Sequence, residues 1–366
     1  MKFFFVVTGI GLGHATRIIS VIDELLKRDK NTKILIAGYE SSYKYFKDKK
    51  FKVIKINGIN YTSNNFNVNL FSILRNNLKF PLTFRSDINS MNNKIKEFNP
   101  DFVVVDWEPA GLIAANKAKK KSILIFNYNP YSFDKFILKF KLGRFKVLQS
   151  KVMENIYGLA EKTAEAIFIP GLNIDIKNKF YFVDFVIREK YNEIENEIKL
   201  MKKLNLKKRP ILVMLGGSTF GFKLADKLIN VLSNIDEDFL IFGYSKSFTK
   251  GNVKSFKFKD NYLEYLKVSK GIIMLAGHSS FGECAVFKKP CLVFPIRGHV
   301  EQMLNAYTIE EAGFGLVKYL KEINSETLKR HVEEFLIKLD ELQEKANKLN
   351  TNGDGSKQIV DFLLQK

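Results

Sequence analysis

The sequence predicts an α/β protein built from two doubly wound domains, and three observations support this. The chain has 366 residues, more than one hydrophobic core usually supports, so two domains of about 150–180 residues are expected. Apolar strand-like runs alternate with amphipathic helices in one series that starts at Lys2 and in another that starts near Pro210. The runs are rich in Val and Ile without strict alternation, which indicates parallel sheets covered by helices on both faces.

The first series predicts a domain over residues 1–170. Its strands are predicted in the segments KFFFVVTG, KILIAG, FKVIKI, DFVVVD and SILIFNY. Its helices are predicted over about 15–27, 70–98 and 111–119, from apolar residues at helical spacing. A strand, helix, strand order of this kind is the unit from which Rossmann-like domains are built.

The second series predicts another Rossmann-like domain over residues 206–350. Its strands are predicted in the segments PILVML, DFLIFGY, VKSFKF, GIIMLAG and PCLVFPI. Helices are predicted over about 223–232 and 262–268, and a further one carries Glu283. The composition shifts over residues 171–205, from PGLNIDI to a charged stretch, which predicts a linker. Residues 351–366 hold a short apolar-faced helix.

Composition narrows the class of protein. The formal net charge is +20, which favours anionic partners, although Lys, Asn, Ile and Phe are abundant throughout the chain. No apolar segment approaches the ~20 residues that span a bilayer, and the first strand does not have the pattern of a signal peptide. Cys284 and Cys291 lie in apolar contexts and are predicted to be buried thiols. We therefore expect a cytoplasmic protein.

A glycine-rich loop follows the first predicted strand and precedes a helix. It contains Gly9, Gly11 and Gly13, and glycines at such a place let a ligand approach the backbone and the helix N-terminus. His14 stands where a dinucleotide-binding pattern has its third glycine. An imidazole has a pKa near the operating pH and suits proton transfer, whereas the alternative is a histidine that caps the helix.

Asp106 ends the strand DFVVVD, and the carboxyl ends of parallel strands line the ligand crevice. It is a candidate for orienting His14 or binding an acceptor hydroxyl, and Glu108 is a second candidate. The alternative for Asp106 is a helix N-cap or turn, where aspartate is favoured.

Residues 271–306 contain the most informative constellation. Backbone N–H groups after Leu275, with His278 and the hydroxyls of Ser279 and Ser280, suit a diphosphate at a helix N-terminus. Glu283 lies on the first turns of that helix, where a carboxylate accepts both hydroxyls of a ribose; the alternative is a surface acid. Together these parts suit a nucleotide-sugar site. The remaining candidates for binding such a donor are Gly217 and Ser218 after the strand PILVML, the loop residue Gly277, and Glu301 with Gln302 for sugar hydroxyls.

These residues resemble the C-terminal donor signature of the GT-B glycosyltransferases. The likeness is to the family that contains the UDP-N-acetylglucosamine transferase of peptidoglycan lipid synthesis. It rests on the spacing of Gly277 and Glu283, and on a Pro, then acid and Gln, then Asn-Ala pattern over residues 295–306. One departure is that plant-type members have a histidine where this chain has Leu275, so His278 does not inherit a diphosphate role by alignment.

The resemblance implies two domains that face a central cleft. A UDP-sugar would bind the C-terminal domain as co-substrate, with no other cofactor and no metal ion. His14, assisted by Asp106, would act as general base on an acceptor hydroxyl in an inverting transfer of a hexosyl or N-acetylhexosaminyl group. The resemblance also implies that the helix in 351–366 packs back across the domain junction.

Residues 133–151 interleave Phe, Ile and Leu with Lys and Arg. This composition is typical of a basic amphipathic element on an anionic membrane surface, although a helix packed through its Phe face has the same pattern. In the resembled transferases such a patch docks at the inner face of the membrane to reach a lipid-linked acceptor. We expect no nucleic acid partner. The triplet Asp236-Glu237-Asp238 precedes an interior strand, as a loop would, and does not predict a metal site.

Two alternatives stay open from the sequence. The same fold serves UDP-N-acetylglucosamine 2-epimerases, which need no acceptor. A non-enzymatic protein that binds membranes or nucleic acid through its basic surface is the other. The placement of polar residues at strand ends, along a crevice, favours an enzyme.

Overall fold

The computed structural model describes residues 1–59, 77–130, 136–137, 139, 144–216, 219–257, 259–296, 298–320 and 322–365. Within these residues the chain forms two largely parallel sheets, each flanked by helices, in two sequential halves. This confirms the predicted α/β class with two doubly wound units.

The first sheet has eight strands among the described residues, in the order β3-β2-β1-β4-β5-β6-β8-β7. All neighbours run parallel except β7, which is antiparallel to β8. The bounds are β1 Lys2–Val7, β2 Lys33–Gly38, β3 Val53–Lys55, β4 Phe102–Asp106, β5 Ser122–Ile125, β6 Ala166–Pro170, β7 Asp175–Lys177 and β8 Phe180–Val183. The sheet thus extends beyond residue 170 into the segment that we predicted to be the linker, because β8 pairs with β6.

Helices cover both faces of this sheet: α1 Gly13–Arg28, α2 Glu40–Asp48, α3 Phe80–Phe98, α4 Pro109–Lys117 and α5 Arg144–Thr163. Burial on both faces explains why the strands are continuously apolar. In β1, Phe3 and Phe5 pack with Ile18 of α1 on one face, while Phe4 and Val6 pack on the other.

The second sheet has seven strands among the described residues, in the order β11-β12-β10-β9-β13-β14-β15, with only β11 antiparallel to its neighbour. The strands are β9 Ile211–Met214, β10 Phe239–Phe242, β11 Phe248–Lys250, β12 Val253–Phe256, β13 Gly271–Met274, β14 Cys291–Val293 and β15 Gly315–Val317. The remaining helices are α6 Glu197–Lys203, α7 Thr219–Leu232, α8 Tyr262–Val268, α9 His278–Val286, α10 Val300–Ala312, α11 Ser325–Ile337, α12 Leu339–Asn347 and α13 Gly355–Gln365.

Each sheet has one point at which the strand order reverses direction. In the first sheet it lies between β1 and β4, and in the second between β9 and β13. Ligands of doubly wound proteins bind in the crevice outside the carboxyl ends of the strands at this point. The loops after β1, β4, β9 and β13 are therefore the segments from which a site is built.

The chain crosses between the two halves after β8 and again before α13, and Asp184 ties the crossings together. Its carboxylate accepts hydrogen bonds from the Thr351 hydroxyl and from the backbone N–H groups of Asn352 at 2.7 Å and Gly353 at 2.9 Å. After this junction α13 returns to the first domain, where Ile359 and Leu363 share a core with α1. The C-terminal helix is thus packed on the N-terminal half.

None of the helices in the described part of the chain combines the length and the apolar character needed to cross a membrane.

Candidate active site

A buried ionic network joins the glycine-rich loop to the end of β4. The His14 imidazole, on the first turn of α1, has its Nδ1 atom 2.7 Å from Oδ1 of Asp106. Arg17, one turn further along α1, donates to the same carboxylate from Nη2 at 2.7 Å and from Nε at 2.8 Å. The Asp106 side chain is fully buried. The structure therefore brings the two residues predicted for catalysis into direct contact.

The charges around Asp106 determine its protonation state. Burial raises the pKa of Asp106, but the charges of Arg17 and His14 outweigh burial and lower that pKa to about 2. Asp106 is therefore a carboxylate at neutral pH and only accepts hydrogen bonds. His14 Nδ1 lies 2.7 Å from the Asp106 carboxylate, which accepts, and 3.0 Å from Nη2 of Arg17, which donates. The shorter contact, with the carboxylate, favours a proton on Nδ1 and a basic Nε2.

The structure excludes one alternative for Asp106, the helix N-cap. Helix α4 begins at Pro109, and the residue that precedes it is Glu108, so Asp106 is not the cap of this helix. Glu108 is itself buried. Burial raises the pKa of Glu108 to about 7, against the lowering effect of the Ala110 N–H group. It lies two residues beyond Asp106, in the first domain.

The glycine-rich loop packs closely against two neighbours. A Cβ atom at Gly9 would collide with the Tyr39 carbonyl oxygen, and one at Gly13 would lie 2.8 Å from Oγ of Ser279 in the other domain. The hydroxyl of Ser41 donates to the carbonyl oxygens of Gly9 and, at 2.8 Å, Gly11. Glycine at these positions therefore lets α9 approach the start of α1 across the cleft.

Helix α9 begins directly after β13, with Gly277 as its N-cap and no side chain capping it. The N–H groups of its first turn have no partner within the helix, which makes this end attractive to an anion. The Ser279 hydroxyl donates to the Gly13 carbonyl oxygen at 3.3 Å, and Ser280 lies in the same turn. The predicted diphosphate loop thus faces the loop that carries His14.

His278 was predicted for the donor site, and the structure shows the contact of one of its ring nitrogens. Its ring is buried, and Nε2 lies 3.1 Å from the carbonyl oxygen of Pro170, in the other domain. Because a carbonyl oxygen only accepts, Nε2 carries the proton. Burial, together with the charge of Arg17, lowers the pKa of His278 to about 4, so the ring is neutral. Through Nε2 this side chain makes an interdomain contact.

Glu283 belongs to a cluster of buried polar groups. Arg188, on the first crossing, places Nη2 4.0 Å from Oε1 of Glu283. Burial raises the pKa of Glu283 to about 7 despite the opposing charge of Arg188. Two buried atoms here, Arg188 Nε and the Tyr262 hydroxyl, have no hydrogen-bond partner, and the charges of Glu283 and Arg188 both act on that hydroxyl. Buried polar atoms are almost always paired, so these two atoms require a partner such as a water molecule or a ligand.

A pocket of about 460 Å³ opens beside Arg188. It lies between α1, which contributes Ser20 and Asp23, the first crossing, and the start of α13 at Ser356. Its volume is within the range of small-molecule pockets.

Glu301 and Gln302 lie in the first turn of α10 and make different contacts. Oε1 of Glu301 accepts a hydrogen bond from Nδ2 of Asn127, in the other domain, at 2.7 Å. Oε1 of Gln302 accepts one from the backbone N–H of Ile296 at 3.0 Å, within its own loop. Glu301 therefore faces the first domain, while Gln302 hydrogen-bonds to the loop after β14.

Two of the predicted site residues, Gly217 and Ser218, lie outside the described residues. So does part of the basic segment 133–151. Within that segment Phe136 is buried against Tyr307, and Lys139 forms ion pairs with Glu310 and Glu311 at 3.2 and 3.6 Å. These two side chains of the segment contact α10 of the second domain.

Three residues of the site escaped the sequence analysis: Arg17, Asn127 and Arg188. Arg17 follows His14 by three residues, so the two share one face of α1. The signal that could have revealed it is a basic residue among the buried residues of this helix. Asn127 follows β5 as Asp106 ends β4. Both lie at the carboxyl ends of parallel strands, so the reasoning that selected Asp106 could also have selected Asn127. Arg188 ends the apolar run FVDFVI, which we assigned to the linker.

Within the ranges that the structure describes, no group of three or more His, Cys, Asp or Glu side chains is arranged to hold a metal ion.

Comparison with known proteins bears directly on this arrangement. The sequence model of the family described as glycosyl transferase family 1 matches residues 1–339. The chain belongs to this family. It is therefore a glycosyltransferase, and the predicted resemblance is confirmed. The epimerase and the non-enzymatic alternatives give way to this assignment.

Two relatives of this family 1 glycosyltransferase match over nearly its whole length. An uncharacterized glycosyltransferase of Methanosarcina acetivorans is 26% identical, over 99% of this chain and 98% of its own. The UDP-N-acetylglucosamine–N-acetylmuramyl-(pentapeptide) pyrophosphoryl-undecaprenol N-acetylglucosamine transferase of Finegoldia magna is 26% identical, over 98% of this chain and 97% of its own.

Solved structures agree on the fold. MurG of Acinetobacter baumannii superimposes with a TM-score of 0.67 at 14% identity, over 100% of this chain and 99% of its own. The calicheamicin glycosyltransferase CalG4 gives 0.65 at 12% identity, with the same coverage. The family 1 glycosyltransferase thus has the GT-B fold, as the sequence predicted.

Proposed function

We propose that this glycosyltransferase moves a sugar from a UDP-sugar to a hydroxyl acceptor by one inverting displacement that needs no metal ion. The contact between His14 and Asp106 at the switch point of the first sheet carries this proposal. It lies across the cleft from the first turn of α9, which suits a diphosphate. A base and an anion site that face each other are the two parts that such a transfer requires.

The proposed step begins at the basic nitrogen of His14. Nε2 removes the proton of the acceptor hydroxyl while the acceptor oxygen forms a bond to the anomeric carbon. The bond from that carbon to the diphosphate oxygen breaks on the opposite face, and UDP leaves with the electron pair. Asp106 stays ionised and stabilises the imidazolium, as carboxylates do in other base dyads. Arg17 holds Asp106 in place through two hydrogen bonds.

The donor is proposed to lie along α9. Its diphosphate would meet the first turn of the helix, with the hydroxyls of Ser279 and Ser280 and the loop at Gly217 and Ser218. The positive end of the helix dipole stabilises the charge that develops on departing UDP. Glu283 would accept the ribose hydroxyls. The unpartnered Tyr262 hydroxyl and Arg188 Nε support a polar ligand at this end.

We propose a lipid-linked sugar as acceptor, reached from the cytoplasmic face of a membrane. The Finegoldia magna relative is named for a pyrophosphoryl-undecaprenol acceptor. A net charge of +20 suits both a diphosphate-linked acceptor and an anionic lipid surface.

The test is UDP release in the presence of a chelator. The purified enzyme is incubated with UDP-N-acetylglucosamine, UDP-glucose or UDP-galactose, each with and without a polyprenyl-diphosphate-linked sugar. We expect UDP release that depends on the acceptor, and a β-linked product from the α-linked donor by NMR anomeric coupling. An α-linked product would contradict the inverting step, and conversion of donor alone into an epimer would restore the epimerase hypothesis.

A further inference from the structure

A hydrogen-bond relay crosses the cleft and ends on Glu301. The indole N–H of Trp107 donates to Oδ1 of Asn127, and Nδ2 of Asn127 donates to Oε1 of Glu301 at 2.7 Å. Trp107 directly follows Asp106, and Asn127 lies just beyond β5, the strand that pairs with β4. The relay therefore starts beside the catalytic pair in one domain and ends in the first turn of α10 in the other.

The direction of the relay follows from the donors available. An indole N–H only donates, so the amide oxygen of Asn127 must face Trp107. The amide nitrogen is then turned toward Glu301, whose carboxylate accepts. The flipped amide would set N–H against N–H and oxygen against carboxylate, so the network itself excludes it. One amide thus satisfies groups of both domains at once.

The starting point of the relay is rigid. Trp107 has a φ angle of 61°, in the left-handed region that a bulky side chain rarely adopts. Its ring packs on Phe126 and Tyr128 with centroids 4.6 and 5.9 Å away, and edge-on to His14 at 6.3 Å. The indole N–H therefore has a defined position relative to the catalytic pair.

We propose that Asn127 is a positioning residue for the transferred sugar. It holds one oxygen of Glu301 from across the cleft, which orients the other oxygen toward a sugar hydroxyl. Because the relay begins beside Asp106, it also sets where the sugar lies relative to His14, and placement at this scale governs the rate of transfer. The inference rests on the proposed function, since it takes Glu301 as the residue that binds the sugar.

The test compares the affinities of UDP and of UDP-sugars by calorimetry, because their ratio isolates the contribution of the sugar. Wild type is titrated with UDP, UDP-glucose, UDP-galactose and UDP-N-acetylglucosamine, and the tightest UDP-sugar is kept as probe. Asn127→Asp still accepts from Trp107 but sets a carboxylate against Glu301. We expect the affinity of the UDP-sugar relative to UDP to fall by about tenfold or more, with the Kd of UDP unchanged.

A matched control makes the test specific. Asn116→Asp adds the same charge at an exposed position on α4 of the same domain, and we expect it to match wild type.

Equal losses of UDP and UDP-sugar affinity in Asn127→Asp would show a merely structural contact and overturn the inference. An unchanged ratio would overturn it as well. A wild type that binds no UDP would overturn the proposed function and the inference together, whereas UDP binding with an unchanged ratio overturns the inference alone.

Discussion

His14 Nδ1 lies 2.7 Å from Asp106 Oδ1, although 92 residues separate them in the chain. The contact exists because β1 and β4 are neighbours in the first sheet, so the loop after one strand meets the end of the other. Arg17 completes the network from the same helix as His14. The carboxylate contact favours a proton on His14 Nδ1, which leaves Nε2 as the basic nitrogen.

Replacing the base should separate catalysis from binding. In His14→Ala we expect kcat to fall by about 10²–10⁴-fold, the usual contribution of general base catalysis. The proposed UDP site lies on the other domain, so the Kd of UDP should change by less than about twofold. Initial rates of UDP release and calorimetric titration with UDP provide the two measurements. Asp106→Asn should lower kcat in the same way, because it loses the carboxylate that fixes the tautomer of His14. A His14→Ala enzyme with near wild-type kcat would remove His14 from the mechanism.

Donor affinity should depend on pH through Glu283. Burial raises its pKa to about 7, so the carboxylate that we propose to accept the ribose hydroxyls becomes protonated as the pH falls below 7. We expect the Kd of a UDP-sugar to rise by about tenfold or more between pH 8 and pH 5.5. Glu283→Gln should bind more weakly at pH 8 and show little of this dependence. The same pH slope in wild type and Glu283→Gln would contradict the assignment.

Ionisation of Glu108 should lower the free energy of unfolding as the pH rises. Burial raises its pKa from the usual 4.5 to about 7, so the folded state holds the proton more tightly than the unfolded chain. The penalty therefore grows as the pH rises from about 4.5 and is complete above about 7, where it approaches roughly 3 kcal/mol. Glu108→Gln should raise the free energy of unfolding by up to that amount at pH 8, and by less than about 1 kcal/mol at pH 5. Urea denaturation at the two pH values measures this. An equal effect at both would show that ionisation of Glu108 is not the cause.

The free energy of unfolding should be sensitive to substitution of Asp184 at the junction between the domains. Its buried carboxylate accepts hydrogen bonds from Thr351, Asn352 and Gly353, and an amide cannot accept all of them. We expect Asp184→Asn to lower the free energy of unfolding by about 2–4 kcal/mol, because backbone N–H groups lose an ionised acceptor. Asp48→Asn, exposed at the end of α2, is the matched control and should stay within about 0.5 kcal/mol of wild type. Equal stabilities of the two variants would contradict the role given to Asp184.

The fold was predictable because its strands are buried on both faces and appear as continuous apolar runs. The boundary at residue 170 was not, because β8 joins this sheet by pairing with β6, and the sequence does not contain that pairing. Strand β7 was missed for another reason: its residues Asp175, Ile176 and Lys177 are exposed, and charged residues on an edge strand hide it from hydrophobic periodicity.

The site was predictable where a residue ends a strand or begins a helix, as with Asp106, His14 and Glu283. What the sequence does not contain is the partner of each group. His278 donates a hydrogen bond to a carbonyl oxygen 108 residues away. Asn127 and Glu301 form a hydrogen bond only because the two domains face each other. Such contacts arise from tertiary packing and leave no local pattern.

Calorimetric titration with UDP, with GDP and NAD as comparators and no metal added, tests the central claim most directly. The account predicts binding of UDP in preference to both comparators, at a site that Glu283→Ala weakens and His14→Ala leaves intact. Binding of NAD alone, or of no nucleotide, would contradict a UDP-sugar site on the C-terminal domain.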